Sequence, residues 1–193
     1  MGSAYISGCE HAFLWQSGTG MQDLGPGTLG GLNSGAEGIN DNGQIAGYAY
    51  TSNGGYHAFI WQIGGGMQEL GTLGGPSSAS EARGINSRGQ VVGAADGTGS
   101  SVSAFLWQNG SGMQDIGTLA GGTTNVNWAQ GINNNGQVVG GHFINSNIWH
   151  AILWQSGSGF WDLGTLTGYE NSGAMGINSN GQVAGYVSSA TSP

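Results

Sequence analysis

The chain has 193 residues, of which 42 are Gly and 3 are Pro, with 2 basic against 10 acidic side chains and a net charge of −8. So little positive charge leaves nothing to neutralise a phosphate backbone, which argues against nucleic acid as a partner. Gly recurs too often along most of the chain for helices, is not spaced in triplets as collagen requires, and is interleaved with enough strand-type apolar residues to argue against disorder.

In chain order, Met1 to Gly8 reads as the remnant of a short strand, and His11-Ala-Phe-Leu-Trp-Gln16 as a strand rich in aromatic and branched residues. After a Gly-rich turn comes Met21-Gln-Asp-Leu, then a variable loop and Ala36-Glu-Gly-Ile-Asn40. The second copy shows the unit most fully. Gln44–Tyr50 is a strand, 51–55 a turn and His57–Gln62 a strand. Gly64-Gly65-Gly66 closes a hairpin, Met67–Gly71 follows, and Ala82–Asn86 is reached through the 74–80 loop. Ser87-Arg88-Gly89 then returns the chain to Gln90-Val-Val-Gly93. The pattern continues through two more copies and stops in Gln182–Val187, with no Trp strand after it. Trp15, Trp61, Trp107 and Trp154 mark the beat at spacings of 46, 46 and 47.

A period of this length with four short antiparallel strands predicts an all-β chain, a β-propeller of four blades with four strands each. It would be a single domain over 1–193, with repeats at about 11–47, 48–93, 94–140 and 141–187 and a tail at 188–193. The Gln-Val-Val-Gly strand carries the smallest side chains and is expected innermost, followed outward by the Trp strand, the Met-Gln-Asp strand and the Ala-x-Gly-Ile-Asn strand. Pairing of the C-terminal strand with His11–Gln16 would close the ring and remove its sheet edges. An open array and a ring shared by two chains are the competing arrangements.

The string His11-Ala-Phe-Leu-Trp15, its copies at His57, Ser103 and His150, and the later Gly-Ile-Asn-x-x-Gly-Gln-Val resemble the HAF-type extracellular repeat family. The resemblance implies a secreted or surface-exposed bacterial or archaeal protein with a propeller-like fold, and it implies no activity. Met1-Gly2-Ser3-Ala4 carries neither a basic region nor an apolar run, so no signal peptide or membrane span is expected. Cys9 is a lone thiol without an internal disulfide partner.

Asp23, Glu69, Asp115 and Asp162 occupy one position in all four copies, and His11, His57 and His150 recur with Ser103 in the remaining place. The structural reading is a hydrogen-bond network joining acid, His, turn amides and Thr28, Thr72, Thr118 or Thr165, by analogy with the Asp-His-Ser/Thr-Trp network of WD-repeat propellers. A ring of these carboxylates would take a hard cation such as Ca²⁺ only near the axis, and the placement of their strand argues against that. No cofactor and no metal site is expected. The Asn-rich turns at 40–43, 86–89, 133–136 and 178–181 hold one acid among them and read as tight hairpins rather than calcium loops.

The four repeated Trp are expected between blades. Trp128, in an expected loop, Trp149, ending a turn, and Trp161, replacing a Gln, are not demanded by the repeat. With Tyr56 they are the candidate platform for the apolar face of a sugar, its hydroxyls bonded by neighbouring Asn and Gln. The sequence thus reads as a non-enzymatic extracellular or cell-surface binding module for neutral glycans. A self-assembling scaffold is the alternative. A hydrolase using the recurring carboxylates ranks third, because equivalence gives them similar environments where acid and nucleophile need different ones.

Overall fold

The computed structural model describes residues 3–6, 8–97, 101–117 and 127–189. The first sheet holds β1 (Ser3–Ile6), β2 (Cys9–Gln16) and β3 (Gly20–Asp23). The second holds β4 (Gly30–Ile39), β5 (Ile45–Thr51), β6 (Tyr56–Gln62) and β7 (Gly66–Gly71). The third holds β8 (Ser80–Ile85), β9 (Val91–Asp96), β10 (Val102–Gln108) and β11 (Gly112–Asp115). The fourth holds β12 (Asn127–Ile132), β13 (Val138–Asn145), β14 (Ile148–Gln155) and β15 (Gly159–Asp162), and the fifth β16 (Asn171–Ile177) and β17 (Val183–Ser188). Each sheet follows chain order and every pairing is antiparallel. The chain is therefore all-β with repeated four-stranded sheets, the described residues adding only a 3-10 turn at Gly27–Leu29.

The strand expected outermost is innermost. The Ala-x-Gly-Ile-Asn strands β4, β8, β12 and β16 meet one another in succession, so closely that a Cβ on Gly84 would lie 3.2 Å from the Gln130 carbonyl oxygen. Backbone apposition, rather than small side chains on the next strand, fixes the order. Asn40 Nδ2 donates to the Asn86 carbonyl at 2.9 Å, Asn86 to that of Asn133 at 3.0 Å, and Asn133 to that of Asn178 at 2.9 Å. Each Asn Oδ1 accepts two backbone amides of its own turn, as Asn40 does from Asn42 and Gln44, so these carboxamides are consumed in turn and ladder. The Gly of Gln-Val-Val-Gly has a separate cause. A Cβ on Gly47, Gly93, Gly140 or Gly185 would overlap the carbonyl of Gly35, Glu81, Trp128 or Gly173 beside the irregular pairing of each inner strand.

Sheets pack face to face under one rule. The face carrying Phe and Trp lies on the preceding sheet's face of Ala and branched residues. Phe59 and Trp61 pack with Ala12 and Leu14, and Phe105 and Trp107 with Ala58 and Ile60. Trp154 packs against the cluster of Ala104 and Leu106. Trp61 and Trp107 are buried and Trp154 is half-buried, but Trp15 is 61% exposed, because no other sheet among the described residues packs on its face of the first sheet.

The expected closure is not formed. β2 pairs with β1 and β3, while β17 pairs with β16 and has no second partner among the described residues. A hairpin through Gly8, at φ 85°, brings β1 onto β2 with far less loop entropy than a strand more than 160 residues away. Five sheets result where four blades were expected, and each full sheet starts at the Ala-x-Gly-Ile-Asn strand, a different phase from the Trp-based repeat.

Candidate functional site

At the outer edge of each sheet, His11 Nδ1 lies 3.0 Å from both carboxylate oxygens of Asp23, and His150 Nδ1 lies 2.8 and 3.0 Å from those of Asp162. His57 Nδ1 contacts Glu69, and its Nε2 lies 3.0 Å from the Ser78 carbonyl oxygen. The acids also accept turn amides, Asp23 from Gly25 at 2.8 Å, Asp115 from Gly117 at 2.8 Å and Asp162 from Gly164 at 2.7 Å. Burial acts to raise the Asp23 pKa, but the Gly25 amide and His11 outweigh it and hold the carboxyl below its ordinary value.

Sequence reasoning missed the member that ties sheet to sheet. Buried Ser34, Ser80 and Ser172, each in an inner strand, donate to the carbonyls of Gly25, Gly71 and Gly164. The same hydroxyls accept the amides of Ala12, Ala58 and Ala151. Spacing held the signal, since a Ser recurs 22, 22 and 21 residues after the Ala of each Trp strand. The Thr are used elsewhere: Thr72 Oγ1 donates to Gly75 and Thr165 Oγ1 to Tyr169, and Thr118 lies outside the described residues. Because each acid is held within its own sheet, by a His in three of them and by the Gly117 amide at Asp115, the carboxylates do not converge. Among the described residues no group of three or more His, Cys, Asp and Glu is placed to hold a metal ion.

Of the predicted aromatics, two come together and two lie apart. Trp128 is in strand β12, not in a loop, and its ring lies over Gly141. It meets Phe143 edge-on at 5.6 Å between centroids, Phe143 meets Trp149 at 5.9 Å, and Trp149 Nε1 lies 3.3 Å from the Tyr186 hydroxyl. The Trp149 amide donates to buried Asn171 Oδ1, whose Nδ2 is left without a hydrogen-bond partner.

Tyr56 sits in the second sheet with Tyr48 and Tyr50, at centroid distances of 5.9 and 5.8 Å. Neither Tyr48 nor Tyr50 is visible as a site residue in the sequence, since both read as ordinary strand positions. The registers Tyr50↔Tyr56 and Phe143↔Trp149 place the two clusters at equivalent hairpin ends, and therefore on one face of the molecule. Trp161 stands apart, 43% exposed and across the strand pair from Leu153.

Between the clusters the same face carries charge. Glu81 and Arg83 pair at 3.5 Å, and burial together with Glu81 pushes the Glu37 carboxyl up. Burial, with Glu10, Glu37 and Glu81 nearby, raises the Tyr48 hydroxyl, so this Tyr remains a neutral donor and acceptor well above neutral pH. A groove of about 270 Å³ is walled by Tyr48 and Tyr50 and lined by Glu10, Asn33 and Ser34. A smaller one of about 110 Å³ runs from Tyr56 to Glu81, Arg83 and Asp96. Aromatic walls with a few oriented polar groups suit an amphipathic ligand.

No helix among the described residues is long and apolar enough to cross a membrane. No family model matches the chain, and none of the curated proteins matches it. Among solved structures it is similar to TolB from Acinetobacter baumannii, with a TM-score of 0.60 and 14% identity over 96% of this chain and 52% of TolB. The chain thus spans about half the length of TolB, a β-propeller protein, and at this identity the likeness is one of fold, a propeller-like succession of antiparallel sheets.

Proposed function

We propose that the chain is a non-enzymatic glycan-binding module of a secreted or surface-exposed HAF-type repeat protein. The observation that carries this reading is the pair of aromatic clusters, Tyr48-Tyr50-Tyr56 and Trp128-Phe143-Trp149, at equivalent hairpins on one face, with Glu10, Asn33 and Glu81 beside the tyrosines. Rings held edge-on by one another form rigid platforms at low entropic cost, and a pyranose presents to them an apolar face rimmed with hydroxyls. With Glu10, Glu81 and Asp96 lining its grooves, the face repels acidic sugars and leaves neutral ones as its ligands.

A hydrolase receives no support from the geometry. The recurring carboxylates are in separate sheets, each held by its own His or turn amide, whereas acid and nucleophile need to face one substrate from different environments. The test is a neutral-glycan array probed with the wild type and with Tyr50→Ala and Trp149→Ala. Binding by the wild type that falls in both variants supports the proposal, and an array without a single wild-type signal overturns it.

A further inference from the structure

The two ends of the array expose complementary halves of an interface that the chain builds three times internally. In the second, third and fourth sheets the Gln-Val-Val-Gly strand pairs with a Trp strand in one register, Ile45↔Trp61, Val91↔Trp107 and Val138↔Trp154. Two residues on, it repeats as Gly47↔Phe59, Gly93↔Phe105 and Gly140↔Ile152. The neighbouring Gln side chains bond across each pair, Gln44 to Gln62, Gln90 to Gln108 and Gln137 to Gln155.

The first and fifth sheets each hold one half. β17 supplies Val183, Ala184 and Gly185 with no Trp strand beside them, and Ala184 is exposed where Ala46, Val92 and Val139 are fully buried. Leu163 is 44% exposed where its equivalents Leu70 and Ile116 are buried, because no Phe or Trp covers it. Leu163, Leu166, Ala151, Val183 and Gly185 line an open groove of about 280 Å³ there. At the other end the described residues of β1 pair with Cys9 to Ala12, and no described strand pairs with the Phe13–Gln16 edge of β2 on that side, where Trp15 is exposed. Gln16 and Gln182 lack the bond that the three internal Gln pairs make.

We propose that these halves join between copies: Phe13–Gln16 of one copy pairs antiparallel with the free edge of β17 in a second copy, Trp15 opposite Val183 and Phe13 opposite Gly185. Phe13 and Trp15 then enter the groove over Leu163 as Phe59 and Trp61 cover the first sheet, and Gln16 meets Gln182. The contact is strand addition to an open edge, with main-chain bonds giving affinity and the alternating aromatics giving register. Because the two surfaces differ, the association is head-to-tail and builds rings or filaments rather than isolated symmetric dimers. Among the described residues of one copy β17 and β2 do not pair with each other, and a second copy offers each half the complement that the internal sheets use. The Phe13–Gln16 edge carries none of the cluster aromatics, whereas β17 adjoins them through Tyr186, which lines the groove and lies 3.3 Å from Trp149 Nε1. Cross-linking between copies reads the pairing without any glycan, so the two proposals are tested separately.

Two chains, Cys9→Ser/Gln16→Cys and Cys9→Ser/Gln182→Cys, are mixed and oxidised, with Cys9→Ser/Asn53→Cys replacing either partner as the control. The mixture should form a disulfide-linked heterodimer about tenfold or more faster than the control, since docking raises the local thiol concentration. In parallel, light scattering of the wild type should show mass rising with concentration, and Trp15→Glu, at an exposed position, should remain folded by circular dichroism and monomeric. Cross-linking no faster than the control overturns the pairing. A wild type monomeric at every concentration, or a folded Trp15→Glu chain that associates as the wild type does, overturns the second copy as occupant.

Discussion

Ser80 shows how much one small polar side chain can hold in this chain. Its hydroxyl is 1% exposed, donates to Gly71 and accepts from Ala58, and so joins an inner strand to the outer and Trp strands of the sheet before it. Ser80→Ala leaves a buried carbonyl and a buried amide unpaired, and the expected loss is about 1–3 kcal/mol in urea unfolding. The same change at half-buried Ser87, whose hydroxyl makes only long bonds of 3.5 Å to Asp41 and 3.4 Å from Asn134, should cost less. Asp23 sets a pH dependence. Its carboxyl titrates below the unfolded value of 3.8, so the folded state binds this proton less readily than the unfolded chain does. That stabilisation is fully present above the unfolded pKa and is lost as pH falls through the folded one. Burial lowers the His142 pKa, against the opposing pull of Asp162, so it too favours the fold at higher pH and loses that contribution on acidification through the range below 6.5. Thermal melts should therefore show the wild type losing stability on acidification below about pH 4, and Asp23→Asn losing less over the same interval.

At the scale of strands, the sequence disclosed existence and order well and position poorly. Although β4 starts at Gly30, well before the expected Ala36, and β9 runs to Asp96, past the expected Gly93, alternation and Gly-bounded turns located the Trp strands and the Met-Gln-Asp strands within a residue or two. They did not reveal which strand lies on the axis, since both candidates are rich in Gly and Ala for different reasons: Gly84 lets neighbouring sheets touch, whereas Gly93 makes room for the Glu81 carbonyl. By sequence Trp128 reads as a loop residue, because its copies, Gly35, Glu81 and Gly173, share no type. The structure supplies the hidden rule. Trp128 lies over Gly141, Tyr48 over Gly35 and Tyr186 over Gly173, so in three of the four equivalent strand pairs one large ring faces one Gly and the two can exchange places, the third sheet having Glu81 opposite Ala94 instead. Gly141→Tyr alone should therefore destabilise by about 1–3 kcal/mol through overpacking. Trp128→Gly/Gly141→Tyr should recover most of that loss, a coupling that a double-mutant cycle in denaturant measures directly.

For the whole molecule, each sheet packs chiefly on the next, so contacts are local along the array and the ends are the weak points. Burial of the Trp was legible only where a neighbour exists. Trp61 and Trp107 are covered, Trp15 is not, and no property of the His-Ala-Phe-Leu-Trp string distinguishes them. The aromatic face was half legible for a related reason: Trp128 and Trp149 break the repeat and announce themselves, whereas Tyr48 and Tyr50 become a platform only when β5 and β6 bring them to Tyr56. The proposed function rests on that face, and isothermal titration with the strongest neutral glycan from the array tests it most directly. The wild type and Trp15→Ser, altered at the exposed end, should bind alike, while Tyr50→Ala/Trp149→Ala, still folded by circular dichroism, should lose about tenfold or more in affinity, or about 1.4 kcal/mol. Equal affinity in the wild type and the folded double variant would contradict the account.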